Sequence, residues 1–207
     1  MNMHIDLNPS ISPLQQGNLD QLCSVYAIIN ALRLATGPMQ IEKRIEKDLL
    51  FRGVRLLLER EILGSTLRDG MGTKKFIKLS RALVKKASKL TELRFRIKYF
   101  CSTEATAEEF LRKELLAGNP VCVRIIGSID HYTVLSGISQ TKLDLFDSDG
   151  LSWILRSSFC RPMSGLPARY ELDTKALFSV GLDDDIPDEL FFDELNIGHP
   201  NRLWEIE

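Results

Sequence analysis

Histidine and cysteine are both scarce in this chain, with three and four copies among 207 residues. No pair of them has zinc-finger spacing, which removes a structural zinc site from the reading. Long apolar runs are missing too. No stretch approaches the roughly 20 residues that span a bilayer, and the first residues lack the basic, apolar and small-residue succession of a signal peptide. The expectation is a soluble, cytoplasmic protein without a membrane span. Its cysteines (Cys23, Cys101, Cys122, Cys160) then read as thiols rather than a disulfide framework. Internal repeats and low-complexity segments are absent, which excludes solenoids and biased linkers. Residues 70–74 are glycine-rich, but they lack phosphate-loop spacing and no strand precedes them. The run Asp147-Ser148-Asp149-Gly150 opens like a calcium loop, yet Ser158 stands where the bidentate glutamate belongs. No cofactor and no metal are expected.

What the chain does contain is enough apolar material for a real core, 44% of its residues. Its net charge of −1 conceals a strong asymmetry. Residues 42–98 hold 17 lysines and arginines against 7 acidic residues, a balance of +10, whereas residues 183–207 hold one arginine against 9 acidic residues, a balance of −8. Two such segments attract each other. The organisation expected is one domain over residues 1–182, a helical half at about 15–90 followed by a sheet half at about 91–182, with an acidic C-terminal tail at 183–207.

The helical half begins with an extended arm broken by Pro9 and Pro13. A buried helix follows, apolar at Leu22, Val25, Ile28, Ile29 and Leu32, and stopping at Gly37-Pro38. Residues 41–63 read as two short helices divided near Gly53, residues 64–73 as a flexible linker, and residues 74–90 as an amphipathic helix with a lysine-rich face. That face suits a solvated surface, so a nucleic-acid partner is not expected. Then the period changes from 3.6 to 2. Residues 93–99 alternate apolar and basic side chains, the pattern of a half-buried strand. A helix at 105–117 precedes strands at 121–126, 131–138, 142–146, 152–155 and 176–180. Helices first and antiparallel strands after them make an α+β chain.

Chemistry enters at the start of the first helix. Asn18 or Asp20 is positioned to cap it, which puts Cys23 in or beside the first turn, where unpaired N–H groups and the helix dipole favour a thiolate. Alone, Cys23 would be an ordinary buried small residue. A catalytic reading needs a histidine and a residue to orient it. His131 opens an apolar strand, and the next strand, running antiparallel, returns Asp147 to its side. Asp130 is the poorer partner because neighbouring strand residues face opposite ways, and Asp149 requires a tighter turn.

The order Gln…Cys-helix…strand…Gly-Asn-Pro-Val…His-Tyr-Thr-Val-Leu-Ser-Gly…Leu-Phe-Asp resembles the papain-like cysteine peptidases, most closely their compact C39-like, bacteriocin-processing branch. The likeness runs over residues 15–150 and rests on three short motifs. A fainter Leu-Cys…Asn…Leu pattern resembles the deubiquitinating Josephin-type domains. The resemblance implies a papain-like fold with the nucleophile helix packed on the sheet. It also implies roles: Cys23 as nucleophile, His131 as base and then acid, and Asp147 as the group that holds the imidazole. A glutamine ahead of the cysteine then donates to the oxyanion with the cysteine's own N–H. Gln16 is the choice, seven residues upstream, with Gln15, Asn18 and Gln21 as alternatives. Ser24 departs from the glycine that many relatives carry. The expected activity is hydrolysis of a peptide or isopeptide bond. Acyl transfer or glutamine deamidation on a target protein, and an inactive binding module, are the alternatives. The basic half suggests a protein or peptide substrate that is acidic or extended.

Overall fold

A computed structural model describes residues 5–7, 10–17, 21–39, 41–102, 106–159 and 170–183 of the chain. Its first long element is α1 (Cys23–Thr36), in which twelve of fourteen residues are buried. A helix apolar on all sides has to be covered on all sides. On one side α1 meets α2 (Lys43–Glu59) and α4 (Thr73–Thr91), and on the other it lies on the sheet. The short helix α3 (Leu63–Asp69) follows α2 in the chain and leads to α4.

The sheet, among the described residues, has eight strands: β1 (Ile5–Asp6), β2 (Phe95–Tyr99), β3 (Val121–Gly127), β4 (His131–Ile138), β5 (Lys142–Leu145), β6 (Trp153–Leu155), β7 (Tyr170–Leu172) and β8 (Phe178–Leu182). They run in the order β2-β8-β3-β4-β5-β6, with β1 alongside β4 and β7 alongside β3. Every pairing is antiparallel. The architecture is α+β. Alternation of β3 and β4 sends Cys122, Tyr132 and Val134 toward α1, while Val121, Val123, Ile125 and Leu135 meet Phe110, Leu111 and Leu115 of α5 (Ala107–Leu116) on the other face. β4 is buried along its whole length, as a strand between two helical layers must be.

Helix α5 starts on a capping box. Thr106 accepts from the Glu109 N–H, and the Glu109 carboxylate accepts from the Thr106 N–H in return. It is tied down by the buried Glu114, whose carboxylate accepts from Lys98 of β2 at 2.8 Å, Ser179 of β8 at 2.9 Å and Asn119 at 2.9 Å. Three donors around one buried carboxylate outweigh its desolvation and hold its pKa below the ordinary value.

Several expectations need correction. Residues 41–63 are not two helices split at Gly53, because α2 runs unbroken through it. Gly53 serves as a crossing point: a Cβ there would lie 2.7 Å from Val25 Cγ1. Residues 64–73 are not a linker, since most of them form α3, closed by Gly70 at φ +76°. β7 and the pairing of β1 with β4 were not legible from pattern, both strands being three residues or fewer. The last strand lies at Phe178–Leu182, two residues later than expected. The acidic tail beyond Asp183 and Cys160 lie outside the described residues. No helix among the described residues is long and apolar enough to cross a membrane.

Gly53→Ala is expected to destabilise the fold by about 1 kcal/mol in urea unfolding. Overpacking against the stiff, fully buried Val25 costs about 1–3 kcal/mol, and better helix propensity returns up to ~1 kcal/mol of it. In a Val25→Ala background the same change should be neutral or stabilising. Equal penalties in both backgrounds would show that the α1–α2 crossing is not what selects glycine.

Candidate active site

Helix α1 starts at Cys23, after the N-cap residue Leu22, which supplies no side-chain cap. The expected caps, Asn18 and Asp20, are therefore not at the N-cap position, and both lie outside the described residues. Leu22 O takes the N–H groups of Val25 and Tyr26 at 2.8 and 3.1 Å. Those of Cys23 and Ser24 have no partner within the helix, as in any first turn. Cys23 is buried yet lies on the wall of a cleft of about 340 Å³.

His131 reaches that cleft because it is the first residue of β4, in register with Ile125 of β3. Asp147 arrives from the opposite direction. β5 pairs with β4 at Leu135↔Leu145, a register shift follows Leu135, and Phe146 N–H bonds Val134 O at 2.8 Å, so the chain leaving β5 runs back toward the start of β4. The outcome is a hydrogen bond of 2.6 Å between His131 Nε2 and Asp147 Oδ2, at side chains 9% and 0% exposed. Asp147 Oδ1 is occupied as well, accepting from the backbone N–H of Asp149 at 2.8 Å and Leu151 at 3.2 Å. Each carboxylate oxygen thus has a donor, which is what lets the charge stay buried.

Burial alone would push the imidazole toward its neutral form. The hydrogen bond and charge of Asp147, with hydrogen bonding and charge from Cys23 added, overcome this and raise the His131 pKa to about 10. For Asp147, burial works upward, and His131 with the Asp149 N–H holds the carboxyl below its ordinary value. The imidazolium is shared by two partners. With Nε2 taken by Asp147, Nδ1 is the nitrogen left to the Cys23 thiol.

Gln16 is held in place by groups the sequence did not advertise. Asn30, fully buried about two helical turns beyond Cys23, uses its amide to grip Leu14, accepting from the Leu14 N–H at 2.7 Å and donating to the Leu14 carbonyl at 3.1 Å. Gln16 N–H then bonds Ser148 O at 2.9 Å. The segment ahead of α1 is thereby stitched to the loop carrying Asp147. Gln16 lines the cleft, and its Oε1 is buried without a hydrogen-bond partner. Gln15 turns elsewhere, its Nε2 donating to the Asp147 carbonyl at 3.1 Å. Gln21 is exposed on the cleft wall.

The other candidates separate cleanly. Asp130 is engaged by Arg124 through Nε and Nη2 at 2.7 and 2.6 Å, and Arg124 also donates to Thr73 Oγ1 at 3.0 Å. This clamp fixes the residue before His131. The signal for it was Arg124 inside an otherwise apolar strand. Cys122 is buried with its thiol toward Ala27 O, and desolvation pushes its pKa up. Cys101 is exposed, away from the cleft lining. Among the described residues no group of three His, Cys, Asp or Glu side chains is arranged to hold a metal. Comparison with protein-family models, with curated proteins and with solved structures returns no match.

The raised His131 pKa has a signed consequence for stability. A group whose pKa rises from about 6.5 unfolded to about 10 folded stabilises the native state fully below about 6.5, and this is lost as pH climbs toward 10. Asp147 acts oppositely: its contribution is present above the ordinary carboxylate pKa and fades as pH falls below it. Wild type should therefore exceed Asp147→Asn in Tm at pH 6, with the gap narrowing steadily between pH 6.5 and 10. A gap independent of pH over that range would mean that the pair is not ionic.

Proposed function

We propose that the protein is a cysteine-dependent hydrolase that cleaves a peptide or isopeptide bond, with a papain-like arrangement of helix and sheet. The observation that carries this reading is the buried His131–Asp147 hydrogen bond of 2.6 Å on one side of a ring whose other side meets the Cys23 thiol. A structural histidine needs one partner. This one has a carboxylate on one side and a thiol on the other, and the thiol stands at a helix N-terminus on a cleft wall.

The reaction runs as follows from these groups. His131 holds the thiol proton, and Cys23 Sγ attacks the substrate carbonyl carbon. The carbonyl oxygen becomes an oxyanion stabilised by the N–H of Cys23 and the side-chain amide of Gln16. Collapse breaks the C–N bond, and His131 gives its proton to the leaving amine. A water, deprotonated by the same imidazole, then attacks the thioester and releases the acid and the thiol. Asp147 stays ionised throughout, holding Nε2–H so that Nδ1 faces the thiol. Element order supports the papain-like assignment: a nucleophile helix first, then the base on one antiparallel strand and its carboxylate beyond the next.

The test is the rate of alkylation of native protein by iodoacetamide at pH 6, resolved by peptide mass. Cys23 should react at least about tenfold faster than Cys101, and His131→Ala should abolish that advantage. Asp147→Asn should reduce turnover by about 10³–10⁴-fold once a substrate is in hand, as loss of the orienting carboxylate does in triads of this logic. If Cys23 reacts no faster than Cys101 in wild type, the arrangement is structural.

A further inference from the structure

The cleft holding Cys23 and His131 is uneven in charge. Asp130 and Asp149 are both on its wall, and among the described residues no lysine or arginine is. The two carboxylates differ in what they have left to offer. Asp130 is neutralised by the two-nitrogen grip of Arg124. Asp149 is exposed, and among the described residues its carboxylate enters no ion pair. Its backbone is nonetheless fixed, since its N–H donates to Asp147 Oδ1 at 2.8 Å. An uncompensated negative charge therefore stands at a defined place, two residues from the carboxylate that orients His131. The imidazole cannot balance it, being already paired with Asp147 at 2.6 Å.

One further feature of the wall describes the rest of the ligand. Ile129 and Leu151 provide apolar surface beside Asp149.

We propose that the cleft selects a peptide segment carrying a lysine or arginine next to an apolar residue, with Asp149 as the residue that determines the charge preference. The inference rests on Cys23 being the nucleophile and adds the substrate class. It departs from the acidic substrate that the basic half suggests. The lysines and arginines of residues 42–98 sit on other surfaces, none of them on the cleft wall. Exposed charges act weakly beyond a screening length of about 8–10 Å, whereas a lining carboxylate acts at contact distance.

The experiment needs no known substrate. Cys23 in the full chain is modified with three methanethiosulfonates, bearing a trimethylammonium, a sulfonate or no charge, and rates are read by peptide mass. The ratio of cationic to anionic rates cancels changes in thiol reactivity and reports the local potential. That ratio should fall about threefold or more in Asp149→Asn, fall further in Asp149→Lys, and fall in wild type as salt is raised from 0.05 to 0.5 M, each range being the order of magnitude set by one nearby charge. Asp149 has no side-chain partner among the described residues to lose, so both variants should fold. A ratio equal in wild type, Asp149→Asn and Asp149→Lys overturns the proposal. The neutral reagent separates the two layers: if it modifies Cys23 no faster than Cys101 in wild type, the nucleophile reading falls and this inference falls with it.

Discussion

Helix α1 exposes almost nothing to water, and the rest of the architecture answers that constraint. Its apolar circumference demands cover from α2 and α4 on one side and the sheet on the other. Cover on that scale requires close approach, and Gly53 is the point where α2 comes near enough to Val25 to leave no room for a Cβ. The same burial gives the one internal amide on α1, Asn30, no escape to solvent. It satisfies both its donor and its acceptor on the Leu14 backbone, which converts a packing demand into a positional one: the chain ahead of Cys23 is laid along the helix.

The site grows out of this frame. The helix contributes a thiol and a first turn of unpaired N–H groups at a fixed height above the sheet. The sheet contributes a histidine at the start of a fully buried strand and an aspartate on the return of the next. Between them, Gln16 N–H to Ser148 O and Gln15 Nε2 to Asp147 O join the segment ahead of Cys23 to the loop carrying Asp147. Mutual support is the point. Asp147 orders His131 through one oxygen and its own loop through the other, so the carboxylate that holds His131 also sets the backbone of Asp149 on the cleft wall.

Much of this was legible in sequence where a long pattern carried it. Helix α1, the lysine-striped α4 and the strand His131–Ile138 all follow from periodicity, because many residues vote for one answer. The partnership of His131 with Asp147 was legible as well, since adjacent antiparallel strands fix which residues return to which. Short elements were not. β1 and β7 exist because a longer strand offers them free N–H and C=O groups, and nothing local to residues 5–6 or 170–172 states that. Gly53 misled for a physical reason: glycine weakens a helix in isolation, and here a contact made by a different helix keeps it within one.

The sequence by itself determined the chemistry available, one cysteine at a helix start, one histidine at a strand start and one aspartate a strand later, together with the α+β order of elements. Tertiary structure alone decided how those groups are spent. That Gln16 lines the cleft while Gln15 turns to the Asp147 carbonyl goes with Asn30 holding Leu14, and which aspartate keeps a usable charge follows from Arg124 engaging Asp130 and leaving Asp149. Such choices depend on pairings between residues far apart in the chain, made within a few ångströms in a buried setting. Residue type and spacing carry no record of them.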